Sequence, residues 1–278
     1  MKPVLFGRAA RVGGALLAAL AAVGGPAAAQ TRTQSASYVI LPVTAPEGEQ
    51  VAKKGQPLLV QQAVAPRAAR LTAQATLGSG KKATVFPAGA KMFGVPSQGG
   101  FAYCAVSEGK RWWSSATFSC FEDVDADGDF DQVRPSGSPF MNVALFVFTL
   151  GAPKPLETSV AYERTPYAQG PSVDFGLIWN AQAPRAKEGE PTKPGTVTVQ
   201  PAFESPLGFQ AIRNGGATRP LLGDGSPASV TIRGSRIDVL GLTPEGDLRY
   251  RVVEAIPAQV DRVTLSITTT TTYIPIYR

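Results

Sequence analysis

Between residues 123 and 131 the chain reads Asp-Val-Asp-Ala-Asp-Gly-Asp-Phe-Asp, so carboxylates recur at every second position around Gly128. Oxygen donors at that spacing, with a glycine that permits a sharp turn, are what a hard cation such as Ca²⁺ requires. Asp123, Asp125, Asp127, Asp129 and Asp131 are therefore the candidate metal ligands, and calcium in a structural role is the candidate cofactor. Asp and Gly also favour turns for reasons unrelated to metals, so a solvated acidic β-turn is the alternative. Five aspartates in nine residues repel one another, however, and a turn needs no such number.

The stretch resembles the DxDxDG calcium loops of EF-hand-like, dockerin and thrombospondin type 3 modules, over about a dozen residues. The resemblance implies Asp123, Asp125 and Asp127 at the first, third and fifth ligand positions and Gly128 at the turn. It places the backbone carbonyl of Asp129 next and Asp131 at the ninth position, with Phe130 anchoring the loop to a core. The twelfth position, where an EF-hand has a bidentate Glu, is Arg134. Glu122 or a carboxylate from elsewhere would substitute, and the implied affinity is that of weak extracellular sites, about 10⁻⁴ to 10⁻³ M.

Cys104 and Cys120 are the only cysteines, and an even count in an exported chain favours a disulfide. It would close a loop of about 15 residues, worth roughly 3 kcal/mol on the chain-entropy model, and fix one end of the acidic loop. A thiolate metal site lacks both CxxC spacing and a histidine partner. The chain has no histidine at all, which excludes Ser-His-Asp and Cys-His catalysis, His-ligated zinc and imidazole acid–base chemistry. An enzyme would have to use carboxylates, Lys, Tyr or a bound cation. Glu163 and Asp174 are the pair to nominate, although solvent-facing strand positions account for both. Gly78-Ser79-Gly80-Lys81-Lys82 lacks the spacing of a phosphate loop and reads as a hairpin turn. Trp112 and Trp113 fall inside the disulfide loop and, as neighbours on a strand, are expected on opposite faces, one in the core and one exposed, where it covers the disulfide or stacks on a sugar or a partner.

The elements that must position these groups begin after an export signal. Lys2, Arg8 and Arg11 precede an apolar run that ends in Ala27-Ala28-Ala29, the pattern of a secretory signal peptide over residues 1–29 with cleavage after Ala29. Removing those three cations lowers the formal charge from +6 to +3, and the rest are scattered, which argues against nucleic acid as a partner. No stretch is long and apolar enough for a transmembrane helix, and the localisation expected is periplasmic or secreted.

The remainder reads as strands. Tyr38 to Val43, Leu58 to Val64, Arg70 to Leu77, Ala83 to Phe86, Met92 to Val95 and Phe101 to Val106 are short β-prone runs between turns, following a flexible polar start over Gln30 to Ser37. Met141 to Leu150 is the most apolar, and Thr158 to Arg164 and Val173 to Trp179 continue the pattern. After a Pro-rich stretch come Thr196 to Gln200, Phe209 to Arg213, Val230 to Arg233, Arg236 to Leu242, Leu248 to Val253 and Val263 to Thr272. The fold class is mostly β, an antiparallel sandwich-like domain or two small β modules, with few or no long helices. The boundaries expected are a β-rich domain with the disulfide and acidic loop over 30–180, a linker or long loop over 181–195, and a C-terminal β module over 196–278 that can belong to the same domain. For function the leading expectation is an exported, non-enzymatic β protein with a structural calcium loop, a binding or cell-envelope module for a protein or glycan. The alternatives are a carboxylate-using hydrolase, carbohydrate-active among them, and an outer-membrane or assembly-associated component.

Overall fold

The computed structural model describes residues 30–79, 83–97, 100–106, 117–137, 149–182, 195–205, 208–212, 215–221 and 227–269. Residues 1–29, where a signal peptide is expected, Trp112 and Trp113, residues 141–148, most of 181–195 and the tail from 270 lie outside the described residues. One compact unit spans 33–265 and is described by itself; of the other, 1–32 with 266–278, the described residues are strand ends.

The fold is mostly β and antiparallel, as expected, and its helical content among the described residues is one 3-10 turn at Tyr167–Gln169. Among the described residues no helix is long and apolar enough to cross a membrane. The clearest sequence-to-structure link is a four-stranded sheet of β2 (Gln50–Ala52), β17 (Ala228–Ile232), β18 (Ser235–Leu242) and β19 (Leu248–Glu254), in the order β17-β18-β19-β2. Val230, Ile232, Ile237, Val239, Leu248, Tyr250 and Val252 alternate with exposed neighbours, and each is buried. That is the period-two pattern of a half-buried strand. The Thr243-Pro244-Glu245-Gly246-Asp247 stretch closes β18 on β19 through Gly246 N donating to the Thr243 carbonyl at 2.9 Å, with Gly246 at φ 89°.

A seven-stranded sheet contains β1 (Gln30–Ile40), β3 (Pro57–Val64), β13 (Ser172–Gln182), β14 (Thr196–Phe203), β15 (Gln210–Ala211), β16 (Ala217–Pro220) and β20 (Gln259–Thr269). Its order is β15-β14-β13-β3-β1-β20, with β16 beside β14. Where a flexible start was expected over Gln30 to Ser37, β1 already begins at Gln30; alternating Thr, Gln and Ser are compatible with extended backbone without apolar periodicity. β13 and β14 pair over eight registers, Phe175↔Phe203 to Gln182↔Thr196, so residues 183–195 connect neighbouring strands of one sheet. Buried Gln61 of β3 donates through Nε2 to the carbonyls of Leu41 and Ile256, at 2.8 and 3.0 Å, and accepts from Ile256 N at 2.9 Å.

The second seven-stranded sheet closes on itself. It comprises β4 (Ala68–Leu71), β7 (Lys91–Ser97), β8 (Gly100–Val106), β9 (Thr117–Glu122), β10 (Asp129–Gly137), β11 (Thr149–Leu150) and β12 (Lys154–Thr165). The order β10-β12-β4-β7-β8-β9 returns to β10 through six registers with β9, which makes a ring of six strands with β11 outside it on β10. Leu71, Met92, Phe121 and Phe130 fill the ring together with Phe86. Phe86 comes from the separate hairpin of β5 (Ala75–Leu77) and β6 (Thr84–Phe86), between which 80–82 of the Gly78 to Lys82 stretch lie outside the described residues. On the outer face of β7, β8 and β9, Phe93, Val95, Ala102, Cys104 and Cys120 join the main core of Tyr38, Phe175 and Phe203. Burial on both faces is why Phe101 to Val106 reads as a continuous apolar run.

Candidate metal centre

The acidic stretch is the tip of the β9–β10 hairpin, residues 123–128 between strands that pair from Gln132↔Glu122 onward. Two residues there take the left-handed conformation that lets the chain reverse: Gly128 at φ 99° and Ala126 at φ 64°. The carboxylates fold the tip around themselves. Asp123 accepts from Ala126 N at 2.6 Å and from Gly128 N at 3.2 Å, and Asp131 reaches back to accept from Val124 N at 2.7 Å. Such side-chain-to-backbone bonds are the Asx-turn chemistry that suits Asp to tight reversals.

The result is a carboxylate cluster. Asp123, Asp125 and Asp131 each offer one oxygen, and the three oxygens lie within 4.8 Å of one another. These are the first, third and ninth positions of the calcium-loop register, and three hard oxygen donors are the chemistry a divalent cation of the calcium or magnesium kind takes. The carboxylates of Asp127 and Asp129 are not in this group; Asp127 Oδ1 accepts from Asp129 N at 2.8 Å. Glu122, considered above as a substitute ligand, lies 5% exposed on β9. It pairs with Arg134 at 2.8 Å and accepts from Gln132 Nε2 at 2.8 Å, so the twelfth-position arginine and the nearest spare carboxylate neutralise each other.

Below the tip the loop is tied to the ring. Phe130 is fully buried and stacks on Tyr162 of β12 with ring centroids 4.0 Å apart and planes 9° off parallel. The Tyr162 hydroxyl donates to Asp123 Oδ2 at 3.0 Å. Burial raises the Tyr162 phenol above its ordinary range; a bond with Arg164 opposes the shift and Asp123 adds to it. Tyr162 had no signal in the sequence that linked it to the loop, from which it is separated by 39 residues. The disulfide forms between Cys104 and Cys120, directly opposite each other on β8 and β9 with Cα atoms 3.9 Å apart, and Cys120 stands three residues before the hairpin tip begins its turn at Asp123.

Asp131 also marks an irregularity in the ring. Phe130 pairs with Val160, but Gln132 pairs with Pro155, so residues 156–159 of β12 stand opposite Asp131 alone. The strands splay there, and a cavity of about 690 Å³ opens between β12 and β5. Of the nominated acid–base pair, Glu163 is ion-paired to Arg70 of β4, whereas Asp174 lies on β13 of the other seven-stranded sheet. No protein-family model matches the chain, and neither a curated protein nor a solved structure matches it.

Proposed function

We propose that this chain is an exported, non-enzymatic β-rich binding protein of the periplasm or the extracellular space, whose acidic hairpin holds a structural Ca²⁺. The observation that carries the reading is the convergence of Asp123, Asp125 and Asp131 to within 4.8 Å. The ion would neutralise three like charges that the Phe130–Tyr162 stack and the neighbouring disulfide hold in one place. The disulfide supports export, because such bonds persist in oxidising compartments.

The test is the unfolding of the oxidised protein in excess EDTA and then in millimolar Ca²⁺. At a hundredfold excess over Kd, mass action gives about 2.7 kcal/mol, which is a rise in Tm of roughly 5 to 11 °C for a chain of this size. The expected result is a shift of that order that Asp123→Ala with Asp131→Ala abolishes. Equal Tm in both buffers overturns the cation reading.

A further inference from the structure

We propose that the cleft between β12 and the β5–β6 hairpin binds an extended peptide segment of a partner protein by strand addition. This names a partner class for the binding role above and rests on it, but it does not depend on the cation. Two observations converge. Residues 156–159 of β12 enter neither its register with β10 nor its register with β4, so a run of backbone donors and acceptors there has no strand partner among the described residues. Across the cavity, β5 belongs to a sheet of two strands and, among the described residues, pairs with β6 alone, which leaves its other edge without a strand partner there. Gln74, Thr76, Leu77 and Gly78 from the β5 side and Leu156 to Val160 from β12 line the same space. Unpaired strand edges are templates for another strand, and main-chain bonds supply the affinity in strand-addition complexes.

The lining selects the guest. The four residues 156–159 offer about 13 Å of edge at ~3.3 Å per residue, the length of a short strand. Ser119, Val133 and Pro135 come from the barrel side of β9 and β10, so alternate guest side chains would descend onto Leu77, Val133, Pro135 and Leu156 while the others face outward. Lys154 and Glu157 are the charged residues in the lining and are opposite in sign, so the cleft favours an uncharged guest over a phosphate or a polyanion. No aromatic side chain lines it among the described residues, so a sugar finds no ring to stack on, which favours peptide over glycan.

The experiment is an amide NMR titration of the oxidised protein, in EDTA and again in Ca²⁺. The probe is a set of blocked hexapeptides with Thr at alternate positions and Val, Ile, Leu or Phe at the others. Expected are shift changes confined to residues 74–78 and 156–160, their loss when alternate guest amides are N-methylated, and binding weakened about tenfold by Ser159→Pro, which removes one edge N–H at an exposed position. A blank titration at sub-millimolar peptide overturns the proposal. So does equal binding of the N-methylated set, a response at these residues to an uncharged oligosaccharide instead, or hydrogen-exchange protection of amides 156–159 before any peptide is added. Failure of the peptides alongside a Ca²⁺-dependent Tm leaves the metal centre standing, and the converse result leaves the cleft standing.

Discussion

Replacing Asp125 by Asn separates the two roles its carboxylate can play, because the turn role predicts no change whereas the charge role predicts a change whose sign reverses with Ca²⁺. The amide keeps an oxygen for the bond that Asp125 Oδ1 accepts from Asp127 N at 3.3 Å, so the turn survives. What disappears is one negative charge from a group of three whose oxygens lie within 4.8 Å. At that separation each like-charge pair costs about 0.9 kcal/mol in bulk-water dielectric, reduced to roughly half by physiological salt. Asp125 takes part in two such pairs, so Asp125→Asn should stabilise the protein in EDTA by about 1 kcal/mol. In Ca²⁺ the order reverses, since the wild type gains about 2.7 kcal/mol at a hundredfold excess and the variant, short of one charged ligand, gains much less. Urea unfolding monitored by fluorescence at constant ionic strength, with and without EDTA, resolves both differences. Asp127→Asn, outside the group, is the comparison and should retain the Ca²⁺ response. If Asp125→Asn leaves stability unchanged in both buffers, the carboxylates act as turn formers and the argument from charge fails.

Phe130→Ala should cost about 3 to 5 kcal/mol, because the ring is fully buried and stacked on Tyr162; a loss below 1 kcal/mol in chemical unfolding would mean the hairpin tip is not anchored through it. Reducing the Cys104–Cys120 bond, which spans a sequence separation of 16, should lower stability by roughly 3 kcal/mol, read as a drop in the urea midpoint with a slope no smaller than that of the oxidised protein. Burial holds the phenols of Tyr38, Tyr162 and Tyr250 above the ordinary tyrosine range. Protonated phenols are thus favoured by the folded state, so their contribution is complete below the unfolded value of 10.0 and is lost as pH rises through the folded values. Ultraviolet titration should show four of the seven tyrosines at most ionising before the alkaline unfolding transition; ionisation of Tyr38, Tyr162 or Tyr250 in the normal range while the fold persists would contradict the structure.

Much of the strand pattern was legible because local chemistry dictates it. The alternation in 228–254 and the Pro-Glu-Gly turn need no distant partner to be read, and the cysteines announce their bond by count and context. β9 and β10 were missed as strands because their shared tip is Asp- and Gly-rich and β10 itself carries Asp129, Asp131, Pro135 and Gly137, all weak strand formers. Pairing, rather than propensity, makes them extended. β2 is absent from the expected strands for the same reason, its three residues being held by β19. The expected strand over Arg70 to Leu77 is two strands, Ala68–Leu71 in the ring and Ala75–Leu77 in the hairpin outside it, and no local pattern marks where the chain leaves one for the other. At the carboxylate cluster the candidate residues were readable from spacing alone. Which carboxylates converge was not, because that depends on Asp131 folding back over Val124 and on Tyr162, a contribution from a strand far along the chain.

The Gln61 amide carries a consequence for how the chain must assemble. Two of its three bonds go to Ile256, 195 residues further on. Joining points that far apart has a closure cost of about 5 kcal/mol by the logarithmic loop law, so this contact follows the formation of the sheets rather than leading it. As the polypeptide emerges from its N-terminus, β3 can meet β13 while the Gln61 side chain is still without the backbone it will bridge. A chain interrupted before Ile256 would then bury a polar group with two bonds unmade, a penalty of about 1 to 3 kcal/mol. The amide thus works as a check on completeness, satisfied only when the last part of the domain has arrived.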